Sequence, residues 1–184
     1  VLICEPSNNQ IMLGHKGKAQ IAITTDGVSA HGAAPEKGRN AIYEMAEIIQ
    51  RVEKLNGELV GRNGRKGTLV MSQISSASAS LNAVPTKCEV YLDRRMIPGE
   101  TEETVRQEMD QLIAGKHASW AVGVLHKTSW TGQEVRYEPF HPAWEIERDH
   151  PLTQACVAAY RDTFGAEPTE FGFWDFSTNA VTPV

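Results

Sequence analysis

Lys87-Cys88-Glu89-Val90-Tyr91-Leu92-Asp93-Arg94-Arg95 alternates apolar and polar side chains. With Cys88, Val90 and Leu92 on one face, it reads as a strand with one buried side. Pro98-Gly99 ends it. Thr101 then caps a helix carrying Glu102 and Glu103 in its first turn, where negative charge is favoured by the helix dipole. Val105, Met109, Leu112 and Ile113 form its inner stripe, and residues 121–125 give a last strand. Upstream of Lys87, residues 75–80 are small and polar, as in a turn or irregular edge, and 68–74 have strand composition. Before a basic Gly/Asn/Arg loop at 61–67 lies a helix. Its Ile42, Met45, Ala46, Ile49, Val52 and Leu55 recur at three- and four-residue steps, and Gly57 stands where a C-cap glycine is expected. A loop punctuated by Gly and Pro (29–39) separates that helix from the alternating segment 19–25, which places Ile21 and Ile23 on one face and ends at Asp26-Gly27.

The order from 19 to 127 is therefore β-α-β-β-α-β, the split βαβ or ferredoxin-like pattern of an α+β sandwich. The flanks differ in character. Residues 1–4 read as a short buried strand stopped by Glu5-Pro6-Ser7-Asn8-Asn9. After a Pro- and aromatic-rich connector, Asp149-His150-Pro151 opens a helix that closes at Gly165, with Leu152, Ala155, Cys156, Ala159 and Tyr160 expected inward. The expected layout is a sandwich at 17–135 inserted between two pieces of another domain, 1–16 and 136–184.

Hydrophobic residues make up 41% of the 184 positions, as in a globular protein. The net charge of −5, from 18 basic and 23 acidic side chains, gives no electrostatic reason to expect nucleic acid or an anionic membrane as partner. No apolar run approaches a membrane span and no signal peptide pattern is present. Three separated cysteines, Cys4, Cys88 and Cys156, favour reduced core thiols and a cytoplasmic protein. The chain opens on Val1-Leu2-Ile3 without Met, which suggests a piece of a longer protein.

Four residues stand out as candidates for chemistry. Glu5 follows an apolar strand, at the sheet edge where ligand sites gather, and equally suits a solvated turn. His31 sits among small residues in Gly27-Val28-Ser29-Ala30-His31-Gly32-Ala33-Ala34-Pro35, projecting from a loop. Asn82, in Asn82-Ala83-Val84-Pro85, serves a turn or a ligand. Arg95 is either a strand-end charge paired with Asp93 or a fork for a carboxylate. His15, His117, His126, His141 and His150 lack ligand-like spacing and read as structural.

Together these segments resemble the metallopeptidase family of acetylornithine deacetylase, succinyl-diaminopimelate desuccinylase, aminoacylase and glutamate carboxypeptidase. The resemblance rests on Glu5-Pro6-Ser7, on residues 27–41 with their Gly, His, Pro, Gly, Asn and Ala at family spacing, on Asn82-Ala83-Val84-Pro85, and on Asp93-Arg94-Arg95. Ser177-Thr178-Asn179-Ala180 adds a weaker match. It implies hydrolysis of the amide bond of N-acyl amino acids or small peptides by a two-zinc centre, cobalt and manganese being compatible with the same ligand types. Glu5 would be a metal ligand. His31 would reach across a homodimer interface formed by the lid and polarise the scissile carbonyl. Asn82 and Arg95 would position the substrate. The family's other metal ligands are absent from this sequence, so the chain by itself is expected to hold no catalytic zinc and to be inactive. The competing expectation is a non-catalytic ferredoxin-like module that binds a small molecule or dimerises.

Overall fold

The computed structural model describes residues 5–59 and 65–178. The strand expected at 1–4, Cys4 and Asn179-Ala180 lie outside the described residues. Strand β1 spans Ile11–His15 and β2 spans Gly17–Asp26. In β2 the alternation is complete: Ala19, Ile21, Ile23 and Thr25 are buried, while Lys18, Gln20, Ala22 and Thr24 face the other way. Helix α1 (Ala41–Leu59), β3 (Thr68–Ala77), β4 (Lys87–Met96), α2 (Glu102–Ile113) and β5 (Ala118–Val122) follow. The strands join in the order β3-β4-β2-β5, every pairing antiparallel. With helices linking β2 to β3 and β4 to β5, this is the split βαβ arrangement of an α+β sandwich. The core lies between the sheet and the two helices, where Ile21, Ile23, Val90 and Leu92 meet Met45, Ile48, Val105 and Met109.

Several local expectations shift. Helix α1 continues through Gly57 to Leu59, because Leu59 is fully buried and closes the core at that end. Its inner stripe is Ala41, Met45, Ile48, Val52 and Leu59, leaving Ile42 and Ala46 exposed. Strand β3 runs on to Ala77, since β4 offers a full ladder as far as Lys87. The last strand of the sandwich is β5, not 121–125, and Trp120 on it packs against the core while donating to Asp110 Oδ1 at 2.7 Å. Residues beyond it form a separate hairpin, β6 (Leu125–Thr128) with β7 (Glu134–Tyr137). The capping of α2 is as expected: Thr101 and Thr104 bond each other's backbone amides reciprocally.

The flanks come together in a second sheet. Short strands β8 (Phe140–His141) and β9 (Trp144–Glu145), helix α3 (Pro151–Phe164) and β10 (Phe171–Trp174) complete the described chain. The second sheet has the order β10-β1-β9, with β1 and β10 parallel. Across the junction, β1 pairs with β9 and β2 with β8, so two antiparallel strands pass from one sheet into the other. Backbone crowds there: a Cβ on Gly14 would lie 2.2 Å from the Trp144 carbonyl oxygen. Helix α3 buries Thr153 and Val157 and leaves Leu152, Ala155, Cys156 and Ala159 exposed, so its expected inner face is turned outward. Of the cysteines, Cys88 is a buried free thiol and Cys156 an exposed one. No helix of the described residues is long and apolar enough to cross a membrane.

Candidate functional site

The loop after β2 is built by the residues that flank His31. Val28 and Arg39 form a bridge with backbone bonds of 2.8 and 2.9 Å, which folds the loop back on itself. Gly27 is needed beneath it, because a Cβ would stand 2.4 Å from the carbonyl oxygens of Arg39 and Pro85. Asn40 Oδ1 accepts from the amides of Ile42 (2.9 Å) and Tyr43 (3.4 Å), capping α1. Thr25 Oγ1 donates to the Ala41 carbonyl at 2.8 Å and locks the helix to the end of β2. Most of the motif thus supports a rigid corner.

His31 is exposed on that corner. Its backbone bridges Ala83, and the Gly32 amide donates to the Asn82 carbonyl at 2.7 Å. The structure therefore brings His31 and Asn82 together. His31 Nδ1 accepts from the Ala33 amide at 3.1 Å, which places the proton of a neutral ring on Nε2. Asn82 Oδ1 accepts from Ser80 Oγ at 2.6 Å and leaves its NH2 group to donate. Two outward donors on one corner suit a developing negative charge.

Arg95 is at the other end of the sheet. It stands opposite Lys18, at the start of β2, whereas the His31 loop follows Asp26 at its end. At about 3.3 Å per residue, the two ends are separated by roughly 25 Å. The guanidinium clasps Asp93 through Nε (2.6 Å) and Nη2 (3.1 Å), so that side of it is already filled. Its neighbour Arg94 has a different task. Fully buried on the core face, Arg94 donates to both Glu108 oxygens at 2.9 Å and to Glu100 at 2.8 Å. Burial pulls this guanidinium down, and the two carboxylates outweigh it, holding it above its ordinary value.

Glu5, half-buried, precedes a turn in which Asn8 and Asn9 adopt left-handed backbone. Next to it, the Pro6 carbonyl accepts from Trp174 Nε1 at 3.3 Å, and the Trp174 carbonyl accepts from the Lys16 amide at 2.9 Å. Glu5 is thereby tied to the junction where β2 begins, the same end of the sheet as Arg95. Among the described residues, no three His, Cys, Asp or Glu side chains are grouped to hold a metal ion. Glu5 by itself does not fit a zinc pair.

The junction also buries His15, which sequence reading assigned only a structural role. His15 Nδ1 donates to the Lys16 carbonyl at 2.8 Å, Nε2 is buried without a partner, and the ring meets Trp144 edge-on at 5.6 Å. Burial lowers its pKa from 6.5, against smaller opposing backbone bonds. His141 is lowered as well, by burial first and then by Lys18 and His15. Between the folded and unfolded values the unfolded chain holds more protons, so stability rises with pH across that window. The expected result is full stability above about pH 6.5 and progressive loss as pH falls through the lowered folded values. Urea midpoints at pH 7 and pH 5 check this: His15→Phe should shrink the difference, and an unchanged difference would contradict the assignment.

Residues 13–121 match the family described as the peptidase dimerisation domain. The chain belongs to that family. It is 38% identical over 189 aligned residues to the uncharacterized protein YgeY of Escherichia coli (strain K12), covering 99% of this chain and 46% of YgeY. It is 32% identical to the acetylornithine deacetylase of Proteus mirabilis over 160 residues, covering 82% of this chain and 38% of that enzyme. Among solved structures, aminopeptidase PepT from Bacillus cereus shares the fold, with a TM-score of 0.67 at 17% identity over 94% of this chain and 42% of its own. This peptidase dimerisation chain thus spans about half the length, or less, of the curated relatives it matches.

Proposed function

We propose that the chain is the dimerisation and substrate-positioning part of a hydrolase that cleaves the amide bond of N-acyl amino acids or small peptides. In this reading residues 17–135 form the lid, and 1–16 and 136–184 belong to a second, catalytic domain. The pairing of both flanks in one separate sheet supports that layout over a free-standing binding module. The complete subunit would bind two zinc ions, Glu5 supplying one ligand and the remainder of a longer subunit the others.

The separation of His31 and Asn82 from Arg95 carries the proposal. One copy of the sheet offers oxyanion donors at one end and a cation for substrate at the other, too far apart for one small molecule. A second copy, placed antiparallel, brings the donors of one subunit to the Arg95 end of its partner. Apolar surface near the His31 corner favours such pairing. Ile42 and Tyr43 on α1 are 37% and 73% exposed, and Ile74, on the helix-covered face of edge strand β3, is 54% exposed. An open edge and an uncovered apolar strip are what an isologous dimer uses.

Sedimentation of the chain is the test. A dimer is expected at concentrations on the order of 100 µM, and Ile74→Glu should weaken it by about tenfold or more, as for a buried interface residue made charged. A wild-type chain that stays monomeric throughout would overturn the proposal.

A further inference from the structure

Residues directly opposed in an antiparallel pair share a face of the sheet. The register of β8, β2, β4 and β3 therefore sets His141, Lys18, Arg95 and Thr68 in one transverse row on the face away from the helices. Arg95 has Nε and Nη2 engaged with Asp93, which also takes a weak bond from Gln20 Nε2 at 3.4 Å. Both N–H groups of Nη1 and the second N–H of Nη2 are left to meet a ligand, at the end of the guanidinium. The Lys18 side chain has no hydrogen bond or ion pair among the described residues. Burial draws its pKa down, Asp93 opposes that, and the charges of Arg95 and Lys127 draw it down further. His141 lends no charge near neutrality, its pKa being lowered and its Nε2 bonded to the Tyr137 hydroxyl. The row holds two cations, and the one carboxylate beside them, Asp93, stands in the next row along β4, in a chain of net charge −5. Like charges set directly opposite on a sheet oppose folding, and an anion between them reverses that sign.

We propose that Lys18 is a second ligand, beside the free end of the Arg95 guanidinium, for a carboxylate on the compound bound against this face. The inference rests on the hydrolase reading and adds a residue to the recognition of a free carboxylate close to the scissile amide. The free end of the Arg95 guanidinium holds a carboxylate from one side only. A cation from the neighbouring strand closes a pincer and fixes its position.

The experiment compares N-acetyl-L-alanine with N-acetyl-L-alaninamide, which lacks the carboxylate, on the complete metal-loaded protein. Lys18→Met should lower kcat/KM for the acid by about 10- to 100-fold, the span of one charge-assisted hydrogen bond, and leave the amide within about twofold. Lys18→Arg should restore much of the loss. Equal losses on both compounds, or none on the acid, would overturn the role of Lys18. Should the wild type turn over neither compound, the hydrolase reading fails separately, and binding to this chain decides the site. A shift of the Lys18 side-chain resonances on adding N-acetyl-L-alanine, absent with the amide and weakened in Arg95→Met, supports it. Resonances that respond to neither compound, or equally to both, refute it.

Discussion

Arg94→Met is expected to destabilise the chain by about 3–5 kcal/mol, the cost of removing one partner from a buried ionic cluster. Arg94 is fully buried, and Glu100 and Glu108 have side chains only 8% and 9% exposed. Loss of the guanidinium takes one positive charge away from both carboxylates at the edge of the core. They then ionise at a steep desolvation cost or take up protons, and either course draws on folding stability. Arg95→Met, one residue along the strand, should cost less than about 1 kcal/mol, since its pair with Asp93 is partly solvated. Urea denaturation separates the two variants. With a slope of about 2 kcal/mol per molar, the Arg94 variant should lose roughly 2 M of midpoint. Equal midpoints for the two variants would show that the Arg94 cluster does not stabilise the core.

His31→Ala, in the complete protein, is expected to lower kcat by about 100- to 1000-fold while leaving stability near wild type, the range found when one oxyanion donor is removed. The side chain is exposed, and its one bond is accepted from the nearby Ala33 amide. Little of the fold depends on it. The arrangement across subunits makes a sharper expectation. When the His31→Ala protein is allowed to exchange subunits with an Arg95→Ala protein, mixed dimers hold one site with both groups intact. Half of randomly paired dimers are mixed, so activity should recover to about a quarter of wild type in a two-fold symmetric dimer. Recovery absent despite proven exchange would mean that His31 serves the site of its own subunit, or none.

Much of this was legible in the chain. Alternation fixed β2 and β4, three- and four-residue spacing fixed α1 and α2, and Thr101 marked the start of α2. Extending the same patterns by one step also places the buried ion cluster. Arg94 continues the inward series Cys88, Val90, Leu92, and Glu108 stands on the inner stripe of α2, three residues after Val105 and four before Leu112. Polar identity masked both positions, because charged side chains are rarely buried unless paired. The pairing itself depends on a helix and a strand meeting in space.

Helix α3 shows the opposite case. Its apolar residues surround much of the helix, and periodicity of that breadth does not say which side meets a neighbour. Thr153 and Val157 turned out to be the buried pair. The residues 27–41 likewise named their own roles only in part. Gly27, Asn40 and Ala41 serve to fold and cap a corner, and His31 is exposed there beside Asn82.

The sequence by itself determined the α+β class, the order of elements and the identity of Glu5, His31, Asn82 and Arg95 as candidates, since each follows from local pattern and residue type. Tertiary structure alone decided that His31 and Asn82 share one end of the sheet while Lys18 and Arg95 share the other. Strand register and the His31–Ala83 bridge set those neighbours, and both arise from pairing between segments more than 50 residues apart in the chain.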